Sequence, residues 1–329
     1  MKTLVTGGAG YIGSVVAQQL LASGHSVTIL DNLSSGHRQA LPGDAAFVEG
    51  DVLDRSVLDR ILGGQEFDAI LHFAAFIEAG ESMRDPGRFF RNNVTGSLTL
   101  IDAAIAHGVG RFVFSSTAGV YASKDAPLVE TDPIGPSSVY GATKYMVEQA
   151  LEWHHRIHGL RVAILRYFNA AGATGSGGEA HRPETHLIPL VLQVAAGQRS
   201  EIAIFGDDYP TPDGSCIRDY IHIDDLALAH GLALAGLAER PFARYNLGSG
   251  NGYSVIEVIE TARRVSGHPL PVVVKPRRPG DSAILVASSD RIRAELGWQP
   301  RHPDLEDIIA SAWRWHLAHP QGYDHESHP

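Results

Sequence analysis

Tyr140 stands four residues before Lys144 in the stretch SSVYGATKYMVEQALEWHHRIHG, at the start of an amphipathic helical pattern. Four helical residues advance about 400°, so a phenol and an ammonium project from one face, a turn apart. A free phenol titrates near about 10 and is a poor base at neutral pH. An ammonium at about 4 Å, in an effective dielectric of about 20, contributes about 4 kcal/mol before desolvation takes some back, which brings a phenol close to neutrality. Paired in this way, Tyr140 is a proton acceptor and donor for a substrate hydroxyl, with Lys144 as its activator. Tyr-x-x-x-Lys alone is also ordinary helix spacing, so the reading leans on its surroundings. Upstream, RFVFSSTAGVY reads as a strand ending in Ser115, Ser116 and Thr117, at the edge where ligands bind in parallel sheets. There the Thr117 hydroxyl either shares a hydrogen bond with Tyr140 and a substrate hydroxyl or caps a turn.

These groups need a scaffold, and the first half of the chain supplies one. TLVTGG, SVTILDN, AAFVEGD, DAILHFAA, RFVFSST and RVAILRYFN are short apolar runs alternating with helical patterns, the signature of buried parallel strands. The expected fold is α/β, a doubly wound parallel (Rossmann) sheet, followed by a smaller C-terminal α/β substrate-binding lobe. Residues 1–168 form the expected dinucleotide-binding domain and 169–329 the substrate domain, where the rhythm breaks at AAGATGSGGEAHRPETH. RDYIHIDDLALAHGLALAGL and RYNLGSG regain strand and helix character, so the region near 216–248 is expected to pack back on the first domain.

The first strand leads into LVTGGAGYIGSVVAQQLLASGHSVTILDN. Gly7, Gly10 and Gly13 let the backbone turn tightly and approach a pyrophosphate, whose charge sits on the free amides of the helix that follows. Asp31 lies 18 residues beyond Gly13, at the end of the second strand. Its carboxylate suits an adenosine ribose diol and repels a 2′-phosphate, so NAD is expected rather than NADP. Asp51, ending FVEGD, is placed either to contact the adenine or as a plain loop acid. The positive nicotinamide ring pushes Tyr140 in the same direction as Lys144.

Composition removes other classes. A formal charge of -10 with no basic block argues against nucleic acid, although KPRRPGD offers a local pocket for a small anion. No unbroken apolar run reaches the length of a membrane span, and MKTLVTGGAG enters a strand at once with no signal peptide, so a cytoplasmic location is expected. The single cysteine, Cys216, excludes an intrachain disulfide. The 17 histidines are scattered, in EWHHRIHG and the polar tail DHESHP among other places, without usable ligand spacing, so no metal is expected.

The order of glycine loop, strand-end hydroxyl and Tyr-x-x-x-Lys resembles the extended short-chain dehydrogenase/reductase family, and within it the UDP-glucose 4-epimerases (UDP-galactose 4-epimerases). The similarity runs nearly end to end through TGGAGYIGS, LDNLSSG, FVEGD, HFAA, GES, NNVTG, FSSTAGVY, YGATK, LRYFNAAGA, IFGDDYPTPDG, IRDYIHIDDLA, YNLGSG, RRPGD and HPQGY. It implies reversible C4 epimerisation of a UDP-hexose. The tyrosine takes the 4-hydroxyl proton as the C4 hydride leaves, the 4-keto sugar turns over, and hydride returns to its opposite face. A firm grip on the nucleotide and a loose one on the hexose follow from that chemistry.

By the same resemblance the cofactor is held by Tyr11, Ile12, Asn32, Ser35, Val52, Phe73, Ala74, Ala75 and Ser115, with Asn92 lining the nicotinamide or sugar pocket. Tyr167 and Phe168 line the nicotinamide or sugar pocket or belong to the core at a strand end. Asn169 and His186 fall near the substrate diphosphate, Phe205 near the uracil, Arg218, Arg278 and Asp281 around the diphosphate and ribose, and Leu187, Ile204 and Tyr220 elsewhere on the substrate. Guanidinium groups suit phosphate, although Arg218 has a structural alternative in an ion pair with Asp219 or Asp224.

Three departures stand out. Ile77 replaces a lysine that in some relatives touches the nicotinamide ribose, His186 replaces an asparagine, and Leu285 sits where residue size limits room for a C2 acetamido group. Leucine is intermediate, which leaves UDP-GlcNAc and UDP-GalNAc open. A 4,6-dehydratase needs an acidic pair after the strand-end threonine, where this chain has Ala118 and Gly119. A hexuronate enzyme needs an added carboxylate-binding group, and a non-catalytic NAD sensor has no use for Tyr140 and Lys144. The resemblance also implies a homodimer through NNVTGSLTLIDAAIAHG and YGATKYMVEQALEWHHRIHG, helices that would otherwise simply cover the sheet.

Overall fold

The computed structural model describes residues 1–124, 126–175, 177–278 and 281–323. DHESHP lies outside them. The strands are β1 (Lys2–Thr6), β2 (Ser26–Asp31), β3 (Ala46–Glu49), β4 (Ala69–His72), β5 (Arg111–Thr117), β6 (Arg161–Tyr167), β7 (Asn169–Ala171), β8 (Ile202–Phe205), β9 (Ile217–His222), β10 (Phe242–Leu247), β11 (Gly252–Ser254), β12 (Val272–Lys275) and β13 (Ile284–Leu285). The helices are α1 (Tyr11–Ala22), α2 (Arg55–Gly64), α3 (Ala79–Ser82), α4 (Pro86–Phe89), α5 (Gly96–Ala106), α6 (Val139–His158), α7 (Leu187–Ala195), α8 (Ile223–Gly236), α9 (Val255–Ser266), α10 (Asp290–Leu296) and α11 (Leu305–Ala318).

Seven parallel strands form the main sheet in the order β10-β6-β5-β4-β1-β2-β3. The order in which strands are added reverses between β1 and β4, and such a switch point opens a crevice at the carboxyl ends of the strands. Each strand of the sheet centre is an apolar run buried on both faces. Leu4, Ile70 and Phe112 belong to the layer under α2, α5 and α6, while Val5, Leu71 and Val113 belong to the layer under α1 and α8. The alternation of side chains along a strand divides one run between two cores. β3 departs from the expected burial: Ala46 and Glu49 are exposed, because an edge strand has one neighbour.

α6, which carries Tyr140 and Lys144, has sharp ends. The Ser138 hydroxyl accepts from the Gly141 N–H at 3.1 Å, and Gly159 closes the helix with φ of 70°. The region near 216–248 divides. β10 joins the main sheet beside β6 and α8 packs on α1, but β9 pairs with β7, β11 and β13 in a separate small sheet. A third core lies under α7, α9 and α11, with Ile202 and Ile204 of the β8–β12 pair.

Candidate functional site

A cleft of about 1970 Å³ runs from the carboxyl ends of β1 and β2 across β4 and β5 to β8, β9 and β13. Its volume exceeds the roughly 300–1,000 Å³ that encloses one drug-sized ligand. Every cofactor, substrate and proton-transfer residue expected from the sequence lines it.

At the glycine end, Gly7 has φ of +74°, and a Cβ there would stand 2.5 Å from the Ala74 nitrogen. A Cβ on Gly13 would stand 2.2 Å from the Gly7 oxygen. Both positions exclude any side chain, so the β1 turn lies directly against the exit of β4, where Phe73, Ala74 and Ala75 line the cleft. α1 starts at Gly10 with no side-chain cap, so a ligand anion can take up its leading amides. Asp31 is buried and accepts from the N–H groups of Ala9 (3.0 Å) and Leu33 (2.8 Å). Burial raises its carboxyl above the usual range, against those two hydrogen bonds. Asn32 Nδ2 donates to Asp51 Oδ2 at 2.8 Å, joining the two acids' loops beside Ser35 and Val52. The cradle without Cβ atoms, the amide-rich helix start and the buried acid fit a dinucleotide.

At the centre, Thr117 ends β5, and its Oγ1 accepts from the Gly119 N–H at 3.1 Å, so the turn-capping reading holds. Its hydroxyl also favours ionisation of the Tyr140 phenol. The Lys144 relationship differs from expectation. Its Nζ donates to the Ser115 carbonyl at 2.9 Å and lies 6.0 Å from the centre of the Tyr140 ring. Burial lowers Lys144 to about 7, with the Glu148 charge opposing that shift. Burial pushes Tyr140 up to about 12, only partly offset by the Thr117 hydroxyl, and Glu78 adds to the rise. Protein groups alone therefore do not bring this phenol to neutrality, because burial dominates and only the Thr117 hydroxyl opposes it.

Tyr167 bonds the Ser115 hydroxyl, and both Tyr167 and Phe168 are 9% exposed members of core clusters whose edges reach the cleft, so the two readings of them hold together. Asn92 lies on a π-helical turn (Phe90–Thr95) and donates to Asn93 Oδ1 at 2.9 Å.

At the far end, Arg218 pairs with Asp281 (3.4 Å) and donates to the carbonyls of Ile217 and Ser282, both at 2.9 Å. Asp219 is instead consumed by Ser249, Gly250 and Ala287. The Arg278 guanidinium lies 3.8 Å from the centre of the Phe205 ring. Asn169 Nδ2 donates to the Asp219 carbonyl at 2.8 Å, while Tyr220, Ile204, Leu187, Leu285 and Ile77 complete the wall. His186 reaches the cleft, but its Nδ1 faces Glu179.

Several supporting residues were not legible in the sequence. Asn93 ties the Phe76 backbone to Thr143 through its amide, and Ser82 Oγ accepts from the Tyr140 N–H at 3.1 Å. Behind Lys144, Glu148 is fully buried against Arg166 and Ser116, and Arg166 continues to the Tyr121 hydroxyl at 2.9 Å. Glu148 follows Lys144 at helical spacing, a signal that carries weight only once the site is known.

Over residues 3–248 the chain matches the model of the NAD dependent epimerase/dehydratase family. It is 50% identical over 331 residues to a UDP-glucose 4-epimerase of Halalkalibacterium halodurans, covering 99% of each chain. A crystal structure of a UDP-glucose 4-epimerase that is 47% identical superposes with a TM-score of 0.96, over 98% of this chain and 100% of that one. The crystal structure of UDP-glucose 4-epimerase from Bifidobacterium longum in complex with NAD+ and UDP is 36% identical, with a TM-score of 0.93 over 98% and 100% of the two chains.

Proposed function

The chain belongs to the NAD dependent epimerase/dehydratase family, and from that premise we propose that it interconverts UDP-galactose and UDP-glucose by reversible inversion at C4. The observation that carries this reading is the meeting of Thr117, Tyr140 and Lys144 in one cleft with the glycine turn, while Ala118 and Gly119 stand where a dehydratase needs an acidic pair.

NAD, when bound, supplies the acceptor and later donor of the C4 hydride, and a positive ring beside the phenol. The chain's own groups handle the proton. Tyr140 accepts it from the sugar O4 as the 4-ketone forms, and gives it back when the opposite face of C4 is reduced. Thr117 orients the O4 proton toward the phenol. Lys144, held by the Ser115 carbonyl, fixes where the helix face that carries Tyr140 stands. Glycines 7, 10 and 13, with Asp31, hold the dinucleotide. Residues 169–329 hold the UDP moiety, with Arg218 and Arg278 as its cationic contacts, so the hexose keeps room to turn.

The test uses protein as purified, incubated with UDP-galactose and no added NAD, with sugar nucleotides read by chromatography and NADH by absorbance. UDP-glucose without net NADH is expected. No conversion even with NAD supplied sinks the proposal.

A homodimer through α5 and α6 is part of the same proposal. Met146, Trp153 and Ile157 leave large apolar side chains exposed on α6, which supports it. Light scattering that finds only monomer at micromolar concentration rejects that assembly. Among the described residues no helix is long and apolar enough to cross a membrane, and we place the protein in the cytoplasm as part of this reading.

A further inference from the structure

The segment between β7 and α7 brings together Glu179, His181, Glu184 and His186, of which only His186 has a part in the reading above. One ligand atom from each lies within 4.8 Å of all the others. His181 Nδ1 stands 3.1 Å from Glu179 Oε1 and 3.9 Å from Glu184 Oε2. His186 Nδ1 meets the same Glu179 oxygen and stands 3.7 Å from Glu184 Oε1. Zinc bonds to imidazole nitrogen and carboxylate oxygen of about 2.0–2.2 Å give tetrahedral edges of about 3.3–3.6 Å; the two Glu184 separations lie just above that range, and the two Glu179 contacts, now of hydrogen-bond length, open by a fraction of an ångström to admit an ion.

Two further observations point to a cation. The Glu179 and Glu184 side chains are 7% and 5% exposed, and two carboxylates buried side by side need positive charge beside them, which the paired His181 and His186 supply when protonated and a bound cation supplies in their place. His181 Nδ1 is buried and makes no hydrogen bond of acceptable geometry, although a carboxylate oxygen is in reach. Two imidazoles with two carboxylates suit zinc rather than the all-oxygen sets of calcium and magnesium.

We propose that Glu179, His181, Glu184 and His186 bind one zinc-class divalent ion in a closed, four-coordinate structural site on the wall of the cleft. Glu184 is oriented for this by the N–H groups of Thr185 (2.7 Å) and His186 (2.8 Å) donating to its Oε1. The site also spans the two lobes. The His181 ring packs edge-on to Tyr11 at 6.3 Å, and the Tyr11 hydroxyl donates to the Gly172 carbonyl at 2.7 Å. With four protein donors no position is left for water, so the ion braces the 172–186 segment against the start of α1 and takes no part in the hydride chemistry.

The intact protein is treated with a chelator, dialysed, and titrated with zinc chloride against a chromophoric zinc chelator, with bound metal counted by mass spectrometry. One zinc per chain is expected, with a rise in melting temperature on addition. His181→Ala and His186→Ala each weaken binding by about 100-fold or more and abolish that rise. His158→Ala, at an exposed position of α6, leaves both unchanged. His186 is half-exposed, so its variant keeps the test alive should His181→Ala fail to fold. Substoichiometric binding, or one zinc retained by both variants, overturns the proposal and leaves the four residues as an ion-pair cluster.

Discussion

Lys144 gives its hydrogen bond to the carbonyl of Ser115, at 2.9 Å, and stands 6.0 Å from the centre of the Tyr140 ring. Its direct bond therefore ties α6 to the end of β5 and does not reach the phenol. Its burial has a measurable consequence. The group titrates near 10.5 when unfolded and about 7 when folded, so the unfolded chain binds more protons between those values and stability rises with pH across that window. The penalty is complete below about pH 7 and gone above about 10.5. Lys144→Met is expected to be more stable than wild type at pH 6 by roughly 2–4 kcal/mol, with the gap closing toward pH 10. Urea melts across pH test this, and a gap that does not change with pH rejects it.

Tyr140→Phe removes the proposed proton carrier and little else. Turnover of UDP-galactose is expected to fall by about 10²–10⁴, while calorimetric binding of UDP and retention of NAD stay near wild type. Turnover within a few-fold of wild type would show that another group moves the proton.

Glu148→Gln leaves the Arg166 guanidinium buried without its counter-charge. Breaking a buried pair from one side costs about 3–5 kcal/mol, read as a drop in denaturant midpoint. The double variant Glu148→Met with Arg166→Met is expected to recover most of that loss. A single-variant effect below about 1 kcal/mol would mean the pair is screened by water.

Leu285 pairs with Arg218 on the β13 edge and lines the cleft. Leu285→Tyr is expected to cut UDP-GalNAc conversion at least tenfold more than UDP-galactose conversion, because ring volume competes with the acetamido group. Equal loss on both substrates would place the acetamido group elsewhere.

The six strands expected from the first half of the chain are present, since each is a short apolar run bounded by turn residues. The glycine turn and the α6 pair were equally legible, because their meaning lies within 30 residues of chain. The small sheet was not. Asn169 pairs with Tyr220 and Ile217 with Ile284, and nothing local announces partners so far apart. The same holds for β10, which closes the main sheet beside β6, and for the Arg218–Asp281 pair, which replaced the neighbours expected for that arginine.

The sequence by itself determined the fold class, the dinucleotide turn and the candidates proposed for proton transfer, because spacing on one helix or one turn is a local property. Only the tertiary structure decided how those residues are poised. Whether an ammonium activates a phenol, or two histidines meet two carboxylates, depends on burial and on distances between segments, and both arise when the sheets and lobes pack.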